Sequence, residues 1–142
     1  MKKVKEIMTR KVVTVDGKMD VASVARMMDD KGIGSVMVKS DDALGILTER
    51  DIIVRCVAKG LDPAKTAVGS IMSSPLISAG PDTAVVDAAK LMVSKMIRRL
   101  PIVEGKELKG IVTTMDMVRD VVSKGKRKED SLIYVICDYE RF

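Results

Sequence analysis

Histidine and tryptophan are absent from this 142-residue chain, and its aromatics amount to two tyrosines and one phenylalanine. Without histidine, Ser-His-Asp and Cys-His nucleophile chemistry is excluded, along with the commonest transition-metal ligand. The two cysteines, Cys56 and Cys137, lie far apart and form no C-x-x-C pair, so a zinc site or a disulfide framework has little support. No run approaches the roughly 18 consecutive apolar residues of a membrane span. A G-x-x-x-x-G-K-[ST] run is missing, which leaves ATP hydrolysis unsupported. Gly32-x-Gly34 is no dinucleotide fingerprint either, because it ends a helical pattern and Met37 stands where a third glycine would be. With no paired acid and base and no metal constellation, an enzyme is not expected.

What is present is the composition of a globular protein, 46% apolar and 32% charged. A chain of this length fits one compact domain burying about 68–70% of the surface its unfolded form exposes. The basic start Met1-Lys2-Lys3-Val4-Lys5 reaches Arg10 and Lys11 before a signal-peptide apolar region could form, so a cytoplasmic protein is expected. The net charge is +5, with Lys2, Lys3 and Lys5 near the start and Lys124, Lys126, Arg127 and Lys128 near the end. Such basicity suits anionic ligands, and equally describes a solvated surface.

The chain repeats itself. Val4-Lys5-Glu6-Ile7-Met8-Thr9 aligns with Val68-Gly69-Ser70-Ile71-Met72-Ser73, and Gly45 aligns with Gly110 once one residue is inserted between them. The match then persists to Lys59-Gly60 and Lys124-Gly125. One supersecondary unit is written twice, giving a first copy over residues 1–60, a linker over 61–67, a second copy over 68–125 and a tail over 126–142. Pro63 disfavours helix at Asp62 and marks the break.

Each copy reads as β-α-β-β-α, an α/β pattern. In the first, a turn ends near Met8 and Val12 to Val15 is strand-like. Val21, Val24, Ala25 and Met28 then follow helical spacing up to Gly32. Ser35 to Lys39 and Leu44 to Leu47 flank an Asp41-Asp42 turn, and a helix runs from Glu49 to Ala58. In the second, the order is strand Leu76 to Ala79, a helix capped by Asp82 with Val85, Ala88, Ala89 and Met92 inside, strand Leu100 to Val103, strand Glu107 to Val112, and helix Thr114 to Ser123. Most of the eleven methionines, Met27, Met28 and Met92 among them, are expected as core filler. Tyr134, Tyr139 and Phe142 all fall in the tail, whose apolar run Leu132 to Cys137 is expected to add a strand or pack against another chain.

Two stretches carry the chemistry: Gly45-Ile46-Leu47-Thr48-Glu49-Arg50-Asp51 and Gly110-Ile111-Val112-Thr113-Thr114-Met115-Asp116. In each, a strand ends, Thr caps the next helix and Asp lies in its first turn. Such a corner offers free N–H groups, a hydroxyl and a carboxylate to a phosphate and a ribose. It is also close to a capping box, which prefers Glu or Gln where both copies have Asp. Gly45 and Gly110 read as backbone requirements, either a bulge or a close approach.

With the repeat, both corners, the Ile7-Met8 and Ile71-Met72 openings and Leu100-Pro101-Ile102-Val103, the chain resembles a tandem pair of CBS domains, a Bateman module, over about Val4 to Gly125. That resemblance implies two β-α-β-β-α repeats paired through their sheets about a pseudo-twofold axis, with two clefts for an adenosine-containing ligand: AMP, ADP, ATP or S-adenosylmethionine. It places Asp51 and Asp116 on the ribose hydroxyls, and Thr48 and Thr113 on phosphate or ribose oxygens. It sets the adenine against Val13, Ile33 and Val36 in one copy and Ile77, Ile97 and Leu100 in the other. Arg98 and Arg99, in the run that ends at Leu100-Pro101, sit where nucleotide-sensing members keep a basic residue beside the phosphates, and Arg50 could serve the other side. Arg98 and Arg99 could equally pair with acidic side chains. Met37 against Pro101, Gly34-Ser35 against Arg98-Arg99 and Arg50 against Met115 imply unequal clefts.

The function implied is a non-catalytic regulatory module that binds an adenine nucleotide, senses energy state and signals to a partner protein. Homodimerisation is implied too, with Val118, Val121 and Val122, or Ile52, Ile53 and Cys56, as contacts that an internal core would explain equally well. The alternatives are a nucleic-acid-associated protein using its basic termini, held by phosphate contacts alone, or a purely structural interaction module.

Overall fold

A computed structural model describes residues 1–123 of the chain. The tail, with its expected strand or packing segment and its basic run, lies outside the described residues. Two compact units form among the described residues, one from residues 12–76 and the other from residues 1–11 joined by residues 77–123. The packing therefore divides the chain differently from the repeat. The opening turn of the second copy packs in the unit of the first, and the opening turn of the first packs in the unit of the second.

In the unit of residues 12–76, strand β1 (Thr14–Asp16) runs parallel to β2 (Ser35–Ser40), which pairs antiparallel with β3 (Ala43–Thr48). Helix α1 (Val21–Lys31) makes the crossover. Asp20 caps it through the Ser23 amide, Val21, Val24 and Met28 face inward, and Gly32 ends it in the left-handed conformation at φ +63°. After β3 comes α2, an α-turn Glu49–Asp51 that widens into a π-helix Ile52–Val57. The 3-10 turn Val68–Ser70 closes the unit, and its Val68 and Ile71 enter a core with Val15, Val24, Val36, Val38 and Leu47.

The other unit repeats the plan with α3 (Val85–Lys95), β4 (Arg99–Glu104), β5 (Glu107–Thr113) and α4 (Thr114–Ser123). Its opening turn, Val4–Glu6, delivers Val4 into a core with Val85, Ala88, Met92, Leu100, Ile102, Val112 and Met117. The strand expected at Leu76 to Ala79 is reduced to one parallel bridge, Ala79 with Ile102, held by bonds to Pro101 O and from the Val103 amide. Proline supplies no N–H to extend that ladder.

Three local outcomes differ from expectation or explain it. Helix α3 is capped by Ala84 without a side-chain bond, because Asp82 is engaged instead by Lys5 at 2.8 Å and Lys3 at 3.3 Å. Where α1 ends on Gly32, α3 ends on Met96 at φ +53°, a conformation that costs an L-residue about 1–2 kcal/mol. The residue inserted in the second copy is Lys109: Ile102 pairs with Gly110 but Val103 with Leu108, leaving Lys109 as a β-bulge.

Gly45 and Gly110 are close-approach positions, and what approaches them is the chain itself. A Cβ on Gly45 would meet Met72 Sδ at 2.5 Å and the Ser73 carbonyl at 3.0 Å, and one on Gly110 the Thr9 carbonyl at 2.7 Å and Met8 Sδ at 2.8 Å. The Ile-Met opening of each repeat is thus laid over the glycine of a strand in its own unit, pinned by the bridges Ile46 with Ser73 and Thr9 with Ile111.

Candidate functional site

The unit of residues 12–76 brings three separated stretches to one end of its sheet, and the other unit brings two. In the unit of residues 12–76, the Met37 amide donates to Val13 O, the Glu49 amide donates to Gly34 O, and Ser35 pairs with Thr48. In the other, the Thr114 amide donates to Arg98 O and Arg99 pairs with Thr113. The strand-to-helix corner and the start of the hairpin are therefore neighbours in both copies. In the first, the residue before β1 joins them.

At both corners Thr and Asp cap each other reciprocally. The Thr48 amide and hydroxyl donate to Asp51 Oδ2 at 2.9 and 3.1 Å, and Thr48 Oγ1 accepts from the Asp51 amide at 3.2 Å. Thr113 and Asp116 repeat this at 2.8, 3.1 and 3.2 Å. Asp51 and Asp116 are buried, at 8% and 9% exposure. The two readings of the Thr-x-x-Asp pattern are compatible, because capping consumes Oδ2 and leaves Oδ1 to distinguish the corners. Oδ1 of Asp51 accepts from the Ser73 hydroxyl at 3.2 Å and has Arg55 Nε at 3.8 Å. Among the described residues, Oδ1 of Asp116 faces only the Arg119 guanidinium, 3.7 Å away on a largely exposed side chain. Ser73 carried no visible sequence signal for this role, since it comes from another segment, whereas the i,i+4 spacing of Asp51 and Arg55 on one helix was a signal that went unused.

The remaining expected site residues divide by burial. Val13, Ile33 and Ile97 are half-buried and Ile77 is exposed, so their side chains reach the surface. Val36 and Leu100 are at 1% and 0% exposure inside their units' cores, so these two can offer a ligand only backbone groups. Pro101 is also buried. Arg50 is exposed at its corner, Arg99 is half-buried opposite Thr113, and Arg98 is exposed with its carbonyl on α4. A groove of about 440 Å³ lies beside the Asp51 corner, lined by Met28, Ile33, Ile52 and Ile53 with Asp29 and Glu49. Its ionisable lining is acidic, which disfavours phosphate there.

The basic start is also accounted for. Lys2 pairs with the buried Asp120, and Lys3 and Lys5 with Asp82. Hydrogen bonding to Asp82 raises the Lys5 pKa, and the bonds from Lys5 and Lys3 lower that of Asp82. These lysines close the opening turn onto its unit, an internal role that the surface and anion-binding readings of the basic start did not include. Of the dimer contacts expected, Cys56 and Val121 are buried and Ile52 and Val118 pack against the cores, leaving Ile53 and Val122 exposed. Among the described residues no cluster of acidic or cysteine side chains could hold a metal ion, and no helix is long and apolar enough to cross a membrane.

The chain's similarities agree with this geometry. The family model for the CBS domain matches residues 4–57 and 68–123. The protein MK0525 of Methanopyrus kandleri is 40% identical over 117 residues, 80% of this chain but only 60% of that protein's length. The CBS domain-containing protein YhcV of Bacillus subtilis is 38% identical over 124 residues, covering 87% of this chain and 88% of YhcV. The hexameric CBS-CP12 protein from bloom-forming cyanobacteria superposes with a TM-score of 0.79 at 36% identity, covering 89% of this chain and 72% of that one. The chain belongs to the CBS-domain family, with two CBS domains in tandem.

Proposed function

We propose that this tandem CBS-domain chain is a non-catalytic regulatory module that binds an adenosine-containing ligand, AMP, ADP, ATP or S-adenosylmethionine, at its strand-to-helix corners and passes occupancy to a partner protein. Tandem CBS-domain proteins often serve regulatory roles, and the finer reading rests on one observation: the same buried carboxylate, capped through one oxygen, recurs in both units at the start of a helix. A carboxylate whose second oxygen takes no part in capping suits a vicinal diol, and a helix start suits the phosphate that follows it.

The reading includes a homodimer and a cytoplasmic, energy-sensing role. Ile53, Val54 and Val57, exposed on α2, suit a contact with a second copy, and the related CBS-CP12 protein is hexameric. A nucleic-acid role loses its N-terminal support because Lys2, Lys3 and Lys5 are already paired. A ligand can shift such a module only by its differential affinity for two conformations. Mass spectrometry of the natively purified protein, with thermal melts in the four ligands, tests the proposal. A co-purified adenosine compound or a ligand-dependent rise in melting temperature is expected, and indifference to all four at millimolar concentration would overturn it.

A further inference from the structure

We infer that Ser73 sets which corner takes the ligand, by occupying the carboxylate oxygen of Asp51 that a ribose would need. The inference rests on the adenosine-ligand reading above and adds an order of preference within it.

The Ser73 hydroxyl is delivered to Asp51 Oδ1 by a rigid backbone. Ser73 N–H donates to Ile46 O at 2.8 Å and the Ile46 amide donates back to Ser73 O at 3.2 Å, over the Gly45 backbone that leaves room for it. Arg55 clamps the same stretch from α2, its Nη1 donating to Ile71 O at 3.2 Å and Met72 O at 3.0 Å while its Nε faces Asp51. A carboxylate offers about four lone-pair positions. At Asp51 two go to Thr48 on Oδ2 and a third to Ser73. A ribose diol arriving there must displace a hydroxyl that the fold holds in place.

The other corner lacks this competitor. Thr9 matches Ser73 and makes the equivalent backbone bridge to Ile111, with both bonds at 2.9 Å, yet among the described residues its hydroxyl makes no bond to Asp116. Among the described residues Asp116 Oδ1 accepts no hydrogen bond, and its one ion-pair partner is the Arg119 guanidinium at 3.7 Å. The ligand goes first to the Asp116 corner, and Ser73 holds the Asp51 corner closed.

Calorimetric titration of the full chain with AMP, ADP, ATP and S-adenosylmethionine, in parallel on wild type, Ser73→Ala, Asp51→Asn and Asp116→Asn, tests this. Ser73→Ala keeps the backbone bridge to Ile46, and a thermal melt checks its fold. Wild type should bind one equivalent that Asp116→Asn weakens about tenfold or more, the scale of a hydrogen bond to a charged group, while Asp51→Asn leaves it unchanged. Ser73→Ala should gain a second equivalent. Equal losses from Asp51→Asn and Asp116→Asn, with Ser73→Ala binding as wild type does, would overturn the inference and leave the adenosine reading standing. No binding to wild type or Ser73→Ala would overturn both. The comparison of the two Asp→Asn variants decides the matter if Ser73→Ala does not fold.

Discussion

Arg55 and Asp120 stand at matching places, each four residues after its corner carboxylate, and they do the same job with opposite charge. Arg55 reaches the carbonyls of Ile71 and Met72, and Asp120 accepts from the Lys2 ammonium. Each helix thereby holds down the opening segment of its own unit, which in sequence belongs to the other copy. Arg55→Ala leaves two carbonyls to find new partners and should cost about 1–2 kcal/mol in urea unfolding. Asp120→Ala should also destabilise, and raised salt should reproduce little of its effect because the carboxylate is buried.

The glycines of the two corners should respond unequally to a methyl group. At Gly45 the nearest atom to an added Cβ is the flexible end of Met72, but at Gly110 it is the backbone carbonyl of Thr9. Overpacking of this kind costs about 1–3 kcal/mol, so Gly110→Ala should fall at or above the top of that range and Gly45→Ala below it, as read from denaturation midpoints.

Helix α3 begins without a side-chain cap at Ala84, and Asp87 occupies its third position. Ala84→Ser supplies the hydroxyl of a capping box with Asp87 reaching back, and should add about 1 kcal/mol of stability. An unchanged thermal midpoint would show that the opening segment, which bridges Ala84 through Lys3, already satisfies this helix start.

Much of this architecture was legible in the sequence because its signals are local. The spacing of Val21, Val24 and Met28, the turn at Asp41-Asp42 and the Thr-x-x-Asp corners all act within a few residues of chain. What could not be read are the long-range choices. Nothing near Val4 says that it packs on Val85, nor near Asp82 that Lys3 and Lys5 draw it away from capping α3. Ser73 meets Asp51 only because the second copy's opening segment folds over Gly45. The one-residue insertion was visible, but its place at Lys109 and its form as a bulge emerge only from the strand register.

Acid should loosen the basic start. Hydrogen bonds from Lys5 and Lys3 hold the Asp82 pKa below its ordinary value, so the unfolded chain binds a proton at this carboxyl more readily than the folded one. The pair's contribution is present above the unfolded carboxylate value of about 3.9. It is lost as pH falls through the lower folded value. Asp82→Asn should flatten this part of the acid unfolding curve while leaving the neutral region parallel to wild type.

The central claim is that the buried corner carboxylates serve a ligand as well as a helix cap. Isothermal calorimetry of wild type and Asp116→Ala with the tightest-binding adenosine compound tests it most directly. The account predicts a loss of about 1.5–3 kcal/mol in binding free energy in the variant, the worth of a hydrogen bond to a charged group. An unchanged affinity in an Asp116→Ala protein that melts as a folded chain would contradict it and leave these residues only their capping role.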